Sequence, residues 1–232
     1  MNLNIAGIQI AVFKKNIKNM HLYVKPPDGH VSVSAPESMS DETIERFVRT
    51  KITWIKRQIQ KFDDQPRQSK REYVSGETMY VWGKQYFLQV EHGKKNALML
   101  NGNTVHLTVR KESNADQRGK VVNEWYRKEL KAEIVKMLPK WEEQTGIKAQ
   151  DWKVRYMTTR WGSCNVKTGT IWLNLQLAKK PPECLDYVIL HELIHLVEKG
   201  HGDRFIGLMD QFMPMWREVK AKLNSQALDF IG

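Results

Sequence analysis

One of the chain's most apolar stretches, Pro181 to Gly200, holds two histidines and a glutamate. Leu185, Val188, Ile189, Leu190, Leu193, Ile194 and Leu196 surround His191-Glu192-Leu193-Ile194-His195. The apolar positions recur at helical spacing. Pro181-Pro182 suits a first turn, where a missing amide costs nothing, and Gly200 reads as a left-handed stop. The segment therefore predicts a helix from Pro182 to about Gly200. Ionisable groups set so deeply among aliphatic residues are costly to bury without partners. Whatever fold forms here has to supply them.

The spacing suggests what the partner is. Residues four apart on a helix lie about 40° apart around the axis and one turn along it. Both imidazoles then face one side and can reach a single metal ion, with Glu192 beside a metal-bound water. The alternative, two surface histidines on an amphipathic helix, fits poorly with the apolar neighbours. A catalytic zinc usually takes three protein ligands and leaves a position for water. His201 is the preferred third ligand, because it follows Gly200 and stands six residues after His195, as in the metzincin pattern H-E-x-x-H-x-x-G-x-x-H. Glu198 occupies the place of that pattern's glycine. Glu198, Asp203 and Asp210 are the remaining candidates. Nitrogen donors and the motif favour Zn2+. Arg160-Trp161-Gly162-Ser163-Cys164 reads as a tight turn under this site, with a Cys164–His nucleophile as the competing reading.

Around this helix the pattern is α+β. Ile8 to Val12, Leu22 to Val24 and Val31 to Val33 alternate as half-buried strands, with Pro26-Pro27-Asp28-Gly29 as a turn. Ser40 caps one helix, running through Ile44, Phe47, Val48, Ile52, Ile55, Ile59 and Phe62. A polar linker follows from Asp63 to Arg71. Short strands resume at Met79–Trp82, Tyr86–Val90, Leu98–Leu100 and Val105–Val109. A long helix is expected from about Arg118 to Gln144, with Pro139 kinking or ending it and Gly146 stopping it. Trp152–Met157 and Thr170–Leu175 are strands. Helices at 203–213 and 216–223 close the chain. No internal repeat is visible. The natural division is a mainly β region with one helix over 1–112, and a region bearing the metal motif over 113–232.

Charge separates the same two parts. The chain has 37 Lys and Arg against 26 Asp and Glu, a net +11. Most of the excess lies in residues 1–150, outside the metal motif. Nucleic acid is a candidate partner for that first part, through Lys14, Lys15, Lys18 and the Arg46–Lys61 helix face. His21, His30, His92 and His106 read as ordinary surface residues. There is no secretory signal and no apolar run long enough to cross a membrane. With Cys164 and Cys184 as the only cysteines, a cytoplasmic setting is expected.

The order Arg160-Trp161-Gly162-Ser163-Cys164, Thr170-Ile171-Trp172-Leu173-Asn174, Pro181-Pro182, His191 to His195, His201, Phe205 and Met213-Pro214-Met215-Trp216 resembles the YgjP-like family of metal-dependent hydrolases. That family belongs with the zincin-type metallopeptidases and is related to SprT-like proteins. The likeness covers nearly the whole chain, including the strands before Ser40 and Tyr73-Val74-Ser75-Gly76-Glu77. It implies a zincin-like catalytic region with its active-site helix packed on a small sheet. It also implies metal ligands at His191, His195 and His201, with Glu192 as acid/base. One departure is Gly202, where a small hydroxyl residue is expected.

Three functions follow as expectations. The first is a zinc peptidase, with Glu192 as general base. Its peptide would pair with an edge strand at Thr170–Leu175, and Arg160, Tyr156, Tyr187 or Arg204 would stabilise the oxyanion. The second is a zinc amidase or other hydrolase of a non-peptide substrate. The third is a basic, nucleic-acid-associated module with a structural metal.

Overall fold

The computed structural model describes residues 2–25, 29–63 and 71–225. The expected Pro26–Asp28 turn and most of the Asp63–Arg71 linker lie outside the described residues. The contacts divide the chain into two compact units, Met1–Lys70 and Arg71–Asp229. The architecture is α+β, as expected, but the division falls at 70/71 rather than 112/113. The physical reason is the core. Met79, Leu88, Val105 and Leu107 from the second set of strands bury in one cluster with Ile134, Leu173 and Leu190.

In the first unit, β1 (Asn2–Ile5), β2 (Ile8–Lys15), β3 (His21–Lys25) and β4 (His30–Pro36) form one sheet in the order β1-β2-β4-β3. The turn Ala6-Gly7 has φ 54° and 81°, the left-handed pair that a two-residue hairpin requires. β2 and β4 run parallel and the outer pairs antiparallel. One face carries Ile10, Val12, Val31 and Val33, which bury against Ile44, Val48 and Ile55. The single helix expected after Ser40 is two: α1 (Asp41–Thr50) and α2 (Ile52–Asp63). The break falls in the run Thr50-Lys51-Ile52-Thr53, where β-branched residues weaken helix propensity. There the Thr50 hydroxyl donates back to the Phe47 carbonyl at 2.7 Å. Ser40 caps α1 as expected, accepting from the Thr43 amide at 3.3 Å.

The second unit repeats the first sheet's plan. β5 (Thr78–Val81), β6 (Lys84–His92), β7 (Ala97–Asn101) and β8 (Thr104–Val109) take the order β5-β6-β8-β7. The pairings have the same senses: outer pairs antiparallel, inner pair parallel. Again a left-handed two-residue turn, Trp82-Gly83, joins the first two strands. Again a helix follows. No repeat was expected from the sequence, and the two sheets are alike in topology alone.

That helix, α3 (Ala115–Thr145), starts at a reciprocal cap between Asn114 and Gln117 and stops at left-handed Gly146. Its buried stripe is Val122, Tyr126, Leu130, Ile134, Leu138 and Trp141. Pro139 neither ends nor interrupts it. The carbonyl it leaves unpaired belongs to Val135, whose side chain is exposed, so water reaches that turn. A third sheet, ordered β10-β11-β9, joins β9 (Asp151–Arg155), β10 (Gly162–Asn165) and β11 (Thr170–Asn174). Gly162–Asn165 is thus a strand, not the tight turn expected there, because it pairs antiparallel along β11. β11 is central rather than an edge: β9 holds its other side in parallel. A 3₁₀ turn (Leu175–Lys179) leads into α4 (Pro182–His195), followed by α5 (Asp203–Phe212) and α6 (Trp216–Ser225). Among the described residues no helix is long and apolar enough to cross a membrane.

The β5–β6 turn fixes where α4 begins. The Trp82 amide donates to the Ala178 carbonyl at 2.9 Å and the Gly83 amide to the Lys179 carbonyl at 3.2 Å. A Cβ on Gly83 would meet Pro181 atoms at 2.7 to 3.1 Å, whereas one on Gly102, also left-handed, meets nothing. Gly102→Ala should therefore lose only the left-handed penalty, about 1–2 kcal/mol. Gly83→Ala should lose distinctly more, read as a lower urea midpoint. Equal losses would show that the turn does not bear on Pro181.

Candidate metal centre

α4 is buried on almost every side: Cys184, Leu185, Val188, Ile189, Leu190, Leu193 and Ile194 all pack inward. The stripe that faces the cleft carries Tyr187, itself buried, then His191 and His195, both half-buried, each one turn after the last. The helix ends at His195, earlier than expected. The amides of Leu196 and Val197 bond back to Leu193 and Ile194 at 3.0 Å, and Glu198 to Ile194 at 2.8 Å. Because this tightening already turns the chain, Gly200 need not be left-handed, and it is not. The loop that follows brings His201 over the two helical histidines, and Gly202 is the cap position from which α5 starts. A hydroxyl there would cap α5. Glycine fills that position at a cost of only a few tenths of a kcal/mol.

The three histidines converge through their Nε2 atoms. His195 lies 3.1 Å from both His191 and His201, and those two are 3.2 Å apart. His195 Nδ1 is 2.9 Å from the Glu198 carbonyl. A carbonyl only accepts, so Nδ1 carries the proton and Nε2 presents its lone pair to the cluster. Three such nitrogens at this spacing repel unless a cation sits among them. Nitrogens around a tetrahedral zinc, with bonds of about 2.0–2.1 Å, stand about 3.3–3.4 Å apart, so the donor set fits one ion. Phe205 of α5, fully buried, packs its ring on all three imidazoles, with centroids 4.7 to 5.0 Å away. Burial, then the neighbouring imidazoles, then Lys220 push His191 down to about 3. His201 is lowered by burial, His195 and Lys220. Both stay neutral, the state a ligand needs.

Of the other candidate ligands, none joins the cluster. The Glu198 carboxylate sits 3.7 Å from Arg204, Asp210 accepts from Trp216 Nε1 at 2.7 Å, and Asp203 lies in the first turn of α5. Among the described residues His191, His195 and His201 are the one metal-capable group.

Glu192 points to the other flank. It is 5% exposed, and burial lifts its carboxyl to about 8, with Arg160 pulling the other way. It lies flat on β10. A Cβ at Gly162 would come within 2.5 Å of its Oε1 and 2.8 Å of its Cγ. This explains the glycine of the Arg160–Cys164 stretch. Cys164 itself is pushed up by burial and by Glu192, the opposite of an activated thiolate.

A cleft of about 270 Å³ opens beside the triad. Its walls include Arg160, Trp161 and Gly162 on one side and Tyr187, Lys220 and Leu223 on another. Of the four oxyanion candidates, Arg160 and Tyr187 reach this wall, while Tyr156 and Arg204 do not line it. Burial and Glu192 push the Tyr187 hydroxyl up to about 12, so it stays a donor. Its oxygen is 3.5 Å from His191 Nδ1, and its ring stacks on Trp216. Arg160 is positioned from below by Asn174, fully buried. The Asn174 amide donates to the carbonyls of Met157 and Arg160 at 2.9 and 2.8 Å. Lys220 was not anticipated, because an exposed lysine on a short amphipathic helix carries no local signal of what it faces. Asp186, unassigned from the sequence, accepts from Trp141 Nε1 at 2.8 Å and is structural.

Gly162→Ala should displace the Glu192 carboxylate while leaving the histidines in place. The expected result is metal content equal to the parent protein and hydrolysis lowered by about tenfold or more. Unchanged hydrolysis would show that β10 does not position Glu192.

A family model for the YgjP-like metallopeptidase domain matches residues 18–226. No curated protein matches the chain. Two solved structures show a limited likeness. The metallopeptidase zymogen of Pyrococcus abyssi abylysin is 20% identical, covering 40% of this chain and 92% of its own, with a TM-score of 0.38. The metallopeptidase zymogen of Methanocaldococcus jannaschii jannalysin is 24% identical, covering 41% and 91%, with a TM-score of 0.38. With one family model spanning both units and the triad together, the chain belongs to the YgjP-like metallopeptidase family.

Proposed function

We propose that the metal of this metallopeptidase is zinc, that His191, His195 and His201 hold it, and that Glu192 is the general base. One observation carries the reading. Three Nε2 atoms within 3.1 to 3.2 Å of one another stand beside a buried carboxylate. Neutral imidazole donors suit zinc. When bound in such a site, zinc lowers the pKa of water and polarises a carbonyl. Three ligands rather than four among the described residues favour a catalytic site over a structural one.

The chain's own groups do the rest. Glu192 accepts the proton of the attacking water and returns it to the leaving amine. A raised carboxyl pKa suits both halves of that transfer, and a cation beside it brings the ionised form within reach near neutral pH. Tyr187 and Arg160 are placed to donate to the oxygen that gains charge. The sheet edge beside the site is β10, so an extended peptide would pair there rather than on β11. The second unit's small sheet thus orients substrate while α4 holds the chemistry. Two free thiols, Cys164 and Cys184, support a reducing, cytoplasmic setting.

Glu192→Gln should keep about one zinc per chain by elemental analysis and lose casein-peptide hydrolysis by about 10²–10⁴-fold. His195→Ala should lose the metal as well. Activity retained in Glu192→Gln would remove the general base, and zinc retained in His195→Ala would remove the ligand set.

A further inference from the structure

The first unit carries a surface that the peptidase reading does not use. Residues 1–27 contain four lysines and no aspartate or glutamate, and β1 to β4 carry no carboxylate anywhere. The pleat divides their side chains between two faces. The inner face packs on α1 and α2. The register aligns the outer face in rows. Phe13, Ser34 and His21 lie side by side, and Ala11, Ser32 and Tyr23 form the next row. Small residues, Ser34 and the buried Ser32, run down the centre of the face, with an aromatic ring on each flanking strand, two strand spacings across and one row along, about 12 Å apart.

Both rings are open to solvent: Phe13 is 50% exposed and Tyr23 44%. Each has a lysine beside it. Lys15 Nζ lies 5.8 Å from the Phe13 ring and Lys25 Nζ 5.6 Å from the Tyr23 ring, and His21 stacks near Tyr23. Among the described residues Lys15, Lys18 and Lys25 have no ion-pair partner, whereas Lys14 pairs with Asp41 at 2.8 Å. The basic helix face is different: Arg49 is bound to Glu45 on its own helix at 2.5 Å. The second sheet supplies the contrast. It has the same topology and also exposes Phe87, but its outer face carries Glu91, 3.1 Å from His106.

We propose that the outer face of the first sheet binds single-stranded nucleic acid, with bases stacking on Phe13 and Tyr23 and phosphates meeting Lys15, Lys18 and Lys25. Flat exposed rings recognise the faces of unpaired bases, which a duplex hides within its stack. Glu37 follows β4 beside Lys15, its amide donating to the Lys15 carbonyl at 3.2 Å. Yet among the described residues no carboxylate pairs with Lys15, Lys18 or Lys25, and cations left so match a polyanion. The expected partner of the basic N-terminal part is thereby assigned to the sheet instead of the Arg46–Lys61 helices.

The test is fluorescence anisotropy of the full chain with a labelled twelve-nucleotide oligo(dT). The parent protein should bind, more weakly as salt rises. Phe13→Ala with Tyr23→Ala should weaken binding by about tenfold or more at unchanged far-UV circular dichroism. Phe13→Leu with Tyr23→Leu keeps an apolar surface without a stacking plane and should behave the same way. Lys15→Gln with Lys25→Gln should flatten the salt dependence. Phe87→Ala should bind like the parent. No binding at low salt, unchanged affinity in either ring double variant, or equal competition by a duplex of the same length would each overturn the proposal.

Discussion

A carboxylate kept inside an apolar core is the constraint on which the catalytic unit depends. Glu192 sits on a helix whose inward-facing neighbours, Leu185, Val188, Ile189, Leu190, Leu193 and Ile194, would be at home in any hydrophobic interior. Its burial is tolerated because β10 approaches through a glycine and leaves the carboxylate just enough room. That contact fixes the strand, the strand pairs with β11, and β11 packs beneath α4. The histidines lie on the same helix, one turn apart, so placing Glu192 also places them. Phe205 then closes the far side of the three rings, and the chain's turn at Leu196 to Glu198 delivers a carbonyl to His195. The site is the consequence of one helix being buried in a particular orientation.

The two four-stranded sheets show how little a topology depends on its sequence. Each begins with a left-handed two-residue turn, pairs its inner strands in parallel, and is followed by helix. The residues filling these roles differ. Ala6-Gly7 answers to Trp82-Gly83, and the inner-pair partners Val12 and Val33 answer to Leu88 and Val105. What the sheets do with their outer faces differs too. The first leaves a cation-rimmed, acid-free platform, whereas the second carries Glu91. The second sheet also holds its turn against the residues before Pro181, which ties it to the start of the helix that carries the motif.

The cleft is assembled from segments that are remote along the chain. Arg160 arrives on a loop pinned by Asn174, Tyr187 on α4, and Lys220 on α6. Each contributes a donor or a positive charge, against the single carboxylate of Glu192. A substrate entering this space meets cations and hydrogen-bond donors on its walls and a free strand edge along one side.

By itself the sequence determined the local periodicities and the metal-capable pair. Helical spacing through Leu185 and Ile194, with two histidines four apart, admits one geometry whatever packs around it, and the strand alternations are equally local. The sequence also marked His201 as the preferred third donor, and the family likeness pointed to the same residue. Only the tertiary structure decided the rest. The helix broke at Lys51 because neighbouring β-branched residues outweighed a continuous apolar stripe. Gly162 became a strand residue because β11 was there to pair with it. Lys220 reached the cleft because α6 packs beside α4. Partners that lie far apart in the chain leave no mark on the segment that will meet them. The energy that chooses them belongs to the packed core and not to any local run of residues.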